Sequence, residues 1–209
     1  KKFRAFIQSL LLRSTKLKSI TISEALKRIV INQYKLIKSD EIFVIHDAAS
    51  ERLDLSVSIA SQIIENKIAK RDSSLKIMPK VGYFGHLYKG RGIELICELS
   101  LKRGDYNFFI FGGHDKDIAK LRKYNLPRNL FVMGHVPHKE VFSYMKQMDA
   151  LLMPYQKKVS VGVKNIDTSE WMSPLKLFEY MSSKKPIVSS NIRVLKEVLE
   201  NKKNSLLVE

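Results

Sequence analysis

A chain of 209 residues with 44% apolar content can enclose a real core, as one large domain or as one domain and part of another, so disorder is not the expected state. Its formal charge of +16 attracts anions of every kind, from nucleotides to nucleic acids and acidic lipid headgroups, without choosing among them. No apolar run approaches the roughly 18 to 20 residues of a membrane-crossing helix, and the lone Cys97, with no disulfide partner, points to a reducing compartment and a buried structural thiol.

The opening KKFRAFIQSLLLRS lacks the small-residue cleavage site of a secretory signal. It sets Phe3, Phe6, Ile7, Leu10 and Leu11 on one helical face, flanked by Lys1, Lys2, Arg4 and Arg13. That face suits packing on the chain's own core or resting on an acidic membrane surface. The chain begins without Met inside this helix and stops at SLLVE, read as an apolar turn or short strand, so a piece of a longer protein is expected. A strand SITIS at 19–23, a helix from Glu24 to Tyr34 and a strand EIFVIHD ending near Asp47 follow. A polar stretch, a helix containing SVSIASQIIENKIAK and the basic KRDSSLKIMPK come next, and this last segment divides the chain near residue 79.

From there the rhythm is regular. KVGYFG, YNFFIFGG, NLFVMGHV, DALLMPY and KPIVSS read as strands; GIELICELSL, HDKDIAKLRKYN, HKEVFSYMKQM, SPLKLFEYMSS and NIRVLKEVLE read as the helices that follow them. Short strands apolar along their whole length, alternating with helices, predict an α/β fold with a Rossmann-like parallel sheet covered by helices on both faces. Such sheets bind ligands beyond the carboxyl ends of their strands.

Those ends carry the candidate site. GYFGHLYKGRGIEL offers Gly85 for close backbone approach, and His86, Lys89 and Arg91 to meet negative oxygens; Arg91, with its rigid permanent charge, is the strongest diphosphate candidate. Its glycine spacing is neither the dinucleotide fingerprint nor the P-loop. Gly112, Gly113 and Gly134 end the next two strands and leave backbone groups free for a planar base or a sugar, with His135 lining the cleft or capping a turn. His114, His135 and His138 stand on separate loops without metal-binding spacing. The long segment QKKVSVGVKNIDTSEWM, with Lys157, Lys158 and Lys164, is placed to cover a site. In SPLKLFEYM, Ser173 reads as an N-cap and Pro174 as the first helical residue, with Leu177, Phe178 and Met181 facing the core. The helix start, including Leu175, can receive phosphate; Lys176 adds charge, and the Glu179 carboxylate suits sugar hydroxyls.

Together GYFGHLYKGRGIELI, FIFGG, LFVMGHVPHKEVFSYMKQMDALLMPY, SPLKLFEYMSSKKPIVSSNIRVLKEVL and NSLLVE resemble the C-terminal domain of the retaining group 1 glycosyltransferases of GT-B architecture, from about Val81 to Glu209. Residues 19 to 49 resemble the end of that family's N-terminal domain. The resemblance implies residues 1–78 as a partial N-terminal Rossmann-like domain with interdomain segment, and 79–209 as the nucleotide-sugar-binding domain, truncated at its C-terminus. It implies a UDP- or GDP-sugar as donor, no required cofactor or metal, and a glycan or lipid-linked acceptor. Arg91 and Lys176, with His86 less directly, would meet the diphosphate and stabilise it as a leaving group. The backbone at Gly134, His135 and Val136 would hold the base, Ser173 to Lys176 would face phosphate, and Glu179 would bond the ribose. The family's earlier glutamate falls on Trp171, with Glu170 and Asp167 nearby. A bacterial enzyme of polysaccharide or cell-envelope synthesis follows, cytoplasmic and touching the acidic inner face of the membrane, of which this chain is a donor-binding fragment inactive alone. The competing expectations are another nucleotide-sugar enzyme such as an epimerase, or a basic nucleic-acid-binding module; against the latter, no basic tract is interleaved with aromatics.

Overall fold

The computed structural model describes residues 18–33, 39–49, 57–163 and 166–209. The amphipathic helix expected at the start of the chain, and Lys164, lie outside these residues.

Strands β1 (Ser19–Thr21) and β2 (Ile42–Val44) form a parallel pair, joined through helix α1 (Glu24–Gln33). Helix α2 (Val57–Arg71) and a 3-10 turn (Ser73–Ile77) lead into β3 (Lys80–Phe84). Then follow α3 (Ile93–Lys102), β4 (Asn107–Phe111), α4 (Asp115–Arg122), β5 (Leu130–Gly134), α5 (His138–Lys146), β6 (Ala150–Met153), α6 (Leu175–Ser182), β7 (Ile187–Ser190) and β8 (Leu206–Val208). The last six strands make one parallel sheet in the order β5-β4-β3-β6-β7-β8.

The central strands show why the sheet is parallel and enclosed. Every residue of β4 is buried, and side chains alternate between faces. Phe109 and Phe111 join Phe84, Phe131, Tyr144, Met145, Leu177 and Tyr180 on the face covered by α5 and α6. Phe108 and Ile110 pack with Ile93 and Ile96 on the face covered by α3. The rings of Phe84 and Phe111 stack at 4.4 Å, and those of Phe109 and Phe131 at 4.9 Å. Each such side chain contributes about 1.5 to 3 kcal/mol by leaving water.

Helix α2 and its following turn belong to the same packing: Ile64, Ile68 and Leu75 are buried in the first cluster, and the Asn107 side-chain amide donates to the Leu75 carbonyl at 2.6 Å. The division expected near residue 79 falls at the start of β3, with α2 on its near side. The β1–α1 corner docks on the 195–197 turn and on the loop before α6, with Ala25 buried in the first cluster. The amides of Glu24 and Ala25 donate to the two carboxylate oxygens of Glu197 at 2.7 and 2.8 Å, and Arg28 approaches the same carboxylate at 3.6 Å. Ser23 donates through its hydroxyl to the Trp171 carbonyl at 3.0 Å while accepting from the Leu26 amide.

Local expectations change in four places. NIRVLKEVLE forms a short 3-10 turn, Leu195–Glu197, and not an α-helix; its branched Ile192, Val194 and Val198 disfavour helix, and Val194, Leu195 and Leu199 bury themselves from a run of turns. Helix α6 begins at Leu175 with Pro174 as its N-cap, so Ser173 does not cap it. The Pro174 carbonyl takes the Leu177 amide at 2.8 Å, and proline's backbone is extended there. Met181 is 37% exposed, and Tyr180 takes the buried place beside Leu177. Cys97 is half-buried at the edge of the second cluster, its thiol pushed up by that burial and by Glu94 and Glu98.

Candidate functional site

The strand order reverses between β3 and β6: chain succession runs outward from β3 to one edge and from β6 to the other. This is the point at which an open parallel sheet leaves a crevice at its carboxyl ends. Here a cleft of about 1040 Å³ opens. Its floor comes from the residues just past β3, β4 and β6, and one wall from the start of α6.

Two loops meet on that floor. Gly92 has φ +80°, and any side chain on it would fall on the Pro154 carbonyl oxygen, so only glycine lets the loop after β3 lie against the end of β6. The Gln156 amide donates to the Gly90 carbonyl at 2.9 Å and the Ser160 amide to Lys89 at 3.0 Å. This contact sets Arg91 on Tyr155: the guanidinium donates to the phenol oxygen at 2.6 Å and lies 5.0 Å from the ring centre. Arg91 Nε is buried with no hydrogen-bond partner among the described residues.

Lys176 comes from the first turn of α6. Its stem is partly exposed, but Nζ is enclosed and likewise has no hydrogen-bond partner among the described residues. The ammonium sits 4.0 Å from the Tyr83 ring centre and 5.0 Å from that of Tyr155. Burial, reinforced by Arg91 and opposed by Glu179, holds the lysine well below its usual range. Both phenols are pushed up by burial, although Arg91 pulls them down, so each ring carries a neutral hydroxyl. The Tyr83 hydroxyl donates to the His86 carbonyl at 2.7 Å.

Around this cation pair the cleft is lined by Gly85, His86, Gly112, Gly113, His135, Val136, Ser173, Pro174, Leu175 and Glu179. The structure therefore brings these expected residues together with Arg91 and Lys176. His86 stacks on Tyr88 at 4.7 Å and is held below the ordinary histidine range by burial, His114, Arg91 and Lys176, against Asp117. Glu179 faces His138 at 3.6 Å. Gly134 is not on the cleft lining but on a shallower depression that shares His135 with it; its carbonyl takes the Gly112 amide at 2.6 Å. Lys89 is exposed and lines a separate groove of about 1690 Å³ on the far side of the 156–167 segment, as do Ile93 and Glu94 of α3. Among the described residues, no set of His, Cys, Asp and Glu side chains is grouped to hold a metal ion.

The loop before α6 places its acids elsewhere. One Asp167 carboxylate oxygen accepts from the amides of Val159 and Ser169 at 2.9 and 3.0 Å, bonds that lower its pKa. Glu170 is exposed and off the cleft lining, where Trp171 stands instead. Sequence reading missed Tyr83 and Tyr155, although Tyr155 stands two residues past the end of a central strand, the signal that could have found it.

Residues 78–209 match the family model described as "Glycosyl transferases group 1". TuaH of Bacillus subtilis (strain 168), a glycosyltransferase whose name assigns it provisionally to teichuronic acid biosynthesis, is 29% identical over 114 residues, covering 54% of this chain and 26% of TuaH. Anabaena Alr3699/HepE, solved in complex with UDP-glucose, superposes with a TM-score of 0.66 at 14% identity, over 100% of this chain and 54% of its own. A glycosyltransferase from Rickettsia africae ESF-5 gives 0.64 at 17% identity, over 100% of this chain and 53% of its own. The chain thus spans about a quarter of the curated relative and about half of these solved chains.

Proposed function

The chain belongs to the group 1 glycosyl transferases, and from that premise we propose that its cleft holds the nucleoside diphosphate portion of a sugar donor. The observation that carries this reading is a pair of buried nitrogens at the switch point of the sheet, Arg91 Nε and Lys176 Nζ, that lack hydrogen-bond partners among the described residues. A buried donor without an acceptor is costly, and a diphosphate would satisfy both. The amides of Leu175 and Lys176, at the open end of α6, add their dipole to the same anion.

In this reading Val136 and its neighbours hold the base, and Glu179 accepts hydrogen bonds from the ribose hydroxyls. Arg91 and Lys176 stabilise the charge that gathers on the diphosphate as the bond to the sugar breaks. A UDP-sugar is the first choice of donor, because the HepE structure was solved with UDP-glucose; a GDP-sugar is the second. The family resemblance supports transfer with retention to a glycan or lipid-linked acceptor at an acidic membrane face, as part of cell-envelope polysaccharide synthesis. No helix among the described residues is long and apolar enough to cross a membrane. We assign residues 79–209 as the donor-binding domain and 1–78 as part of an N-terminal domain with its linking segment. The acceptor side belongs to the other half of the enzyme, so this chain alone binds donor and transfers little.

Calorimetry against a panel of UDP- and GDP-sugars tests the proposal. Binding that falls at least tenfold in Arg91→Ala supports it. Folded protein that binds no member of the panel, or binds equally in Arg91→Ala, refutes it.

A further inference from the structure

Arg91 Nε and Lys176 Nζ are both buried without hydrogen-bond partners among the described residues, and something must hold the two groups in place before any anion arrives. Tyr155 is the side chain that touches both: its hydroxyl accepts from Arg91 at 2.6 Å, and its ring centre lies 5.0 Å from the guanidinium carbon and 5.0 Å from Lys176 Nζ. It is 2% exposed and its own backbone is fixed, the amide donating to the Met153 carbonyl at 3.0 Å. The face of an aromatic ring attracts cations, and a neutral phenol oxygen can accept from a guanidinium.

We propose that Tyr155 is a positioning residue for phosphate recognition, its hydroxyl aiming the Arg91 guanidinium and its ring seating Lys176 Nζ so that both meet one diphosphate. The proposal rests on the donor-site reading above. Tyr155 need not contact the ligand; it acts through the two cations. The Tyr83 ring also lies against Lys176, its centre 4.0 Å from Nζ, but its hydroxyl donates to the His86 carbonyl, and the hydrogen bond to the Arg91 guanidinium is made by Tyr155.

The test titrates inorganic pyrophosphate, with UDP and GDP alongside, into wild type, Tyr155→Phe, Arg91→Ala and the double variant, with thermal melting of each. Tyr155→Phe keeps the ring and removes only the hydroxyl. It should melt close to wild type and bind pyrophosphate and nucleotide about tenfold more weakly, as expected for one lost hydrogen bond to a charged group. That loss should vanish when Arg91 is already alanine, because the hydroxyl then has nothing to aim. Wild-type affinity in Tyr155→Phe, or an equal loss in both Arg91 backgrounds, overturns the proposal. Pyrophosphate binding with the expected coupling, but nucleotides bound no tighter than pyrophosphate, sustains Tyr155 and counts against the donor reading. Folded wild-type protein that holds neither ligand overturns both.

Discussion

Lys176 Nζ lies 2.9 Å from the point where a side-chain carbon at Gly85 would stand. The glycine at the end of β3 is therefore the space in which the buried ammonium rests, and its φ of +145° is one that other residues rarely adopt. Gly85→Ala should push the lysine out of its seat between the two tyrosines and strain the turn. A loss of pyrophosphate and nucleotide affinity of tenfold or more is expected by calorimetry, with about 1 to 3 kcal/mol of stability lost in denaturant titration.

The depressed proton affinity of Lys176 should give nucleotide binding a pH dependence. An anion favours the ammonium, so binding raises the lysine's pKa from its lowered value and draws in a proton wherever the pH lies between the two. Affinity should fall as pH rises through that window. Calorimetry in buffers of differing ionisation enthalpy should show uptake of up to one proton per nucleotide, and Lys176→Met should abolish it. Folding runs the opposite way: the unfolded chain binds the proton more readily, so Lys176 makes stability rise with pH from its lowered folded pKa until the unfolded lysine itself titrates.

Glu179 is expected to act on the ribose and not on phosphate. Glu179→Ala should therefore weaken UDP about tenfold and leave pyrophosphate affinity within about twofold, by the cost of an unpaired hydrogen bond. Equal losses for the two ligands would place the carboxylate elsewhere.

Tyr180 tests the floor beneath the site. Its buried hydroxyl accepts the Phe84 amide at 2.8 Å and faces the Leu152 carbonyl at 3.3 Å, tying β3 to β6 where the strand order reverses. Tyr180→Phe leaves that amide without its acceptor and should cost about 1 to 3 kcal/mol, read by denaturant titration.

Glu197 caps α1 from across the chain, 173 positions from Glu24. Glu197→Ala removes both amide bonds and the Arg28 contact, a loss of about 1 to 2 kcal/mol for a capping carboxylate. Proteolysis should then open the β1–α1 corner before the main sheet.

The sheet was legible because its strands are written as unbroken apolar runs: NFFIF could only be a strand enclosed on both faces, and glycines after three of the runs marked the ligand end. Arg91, Lys176 and Glu179 were legible as charges at that end, and all three line the cleft. What could not be read was which loops touch. Lys89 and Arg91 are neighbours in sequence, yet the Gly90 and Gly92 contacts with the segment after β6 send one to a separate groove and the other to Tyr155. The tyrosine seat exists only because the strand order puts β3 beside β6, a fact of topology that no local pattern records. Val194 and Val198 misled for a simpler reason: their spacing is helical while their branched side chains oppose a helix.

Asp167 separates two properties of the loop before α6. Its carboxylate is committed to the amides of Val159 and Ser169, bonds in which the side chains of Glu170 and Trp171 take no part. On the donor-site reading, exchange at Trp171 and at its neighbour Glu170 can therefore change what the cleft admits while the two Asp167 bonds stay in place.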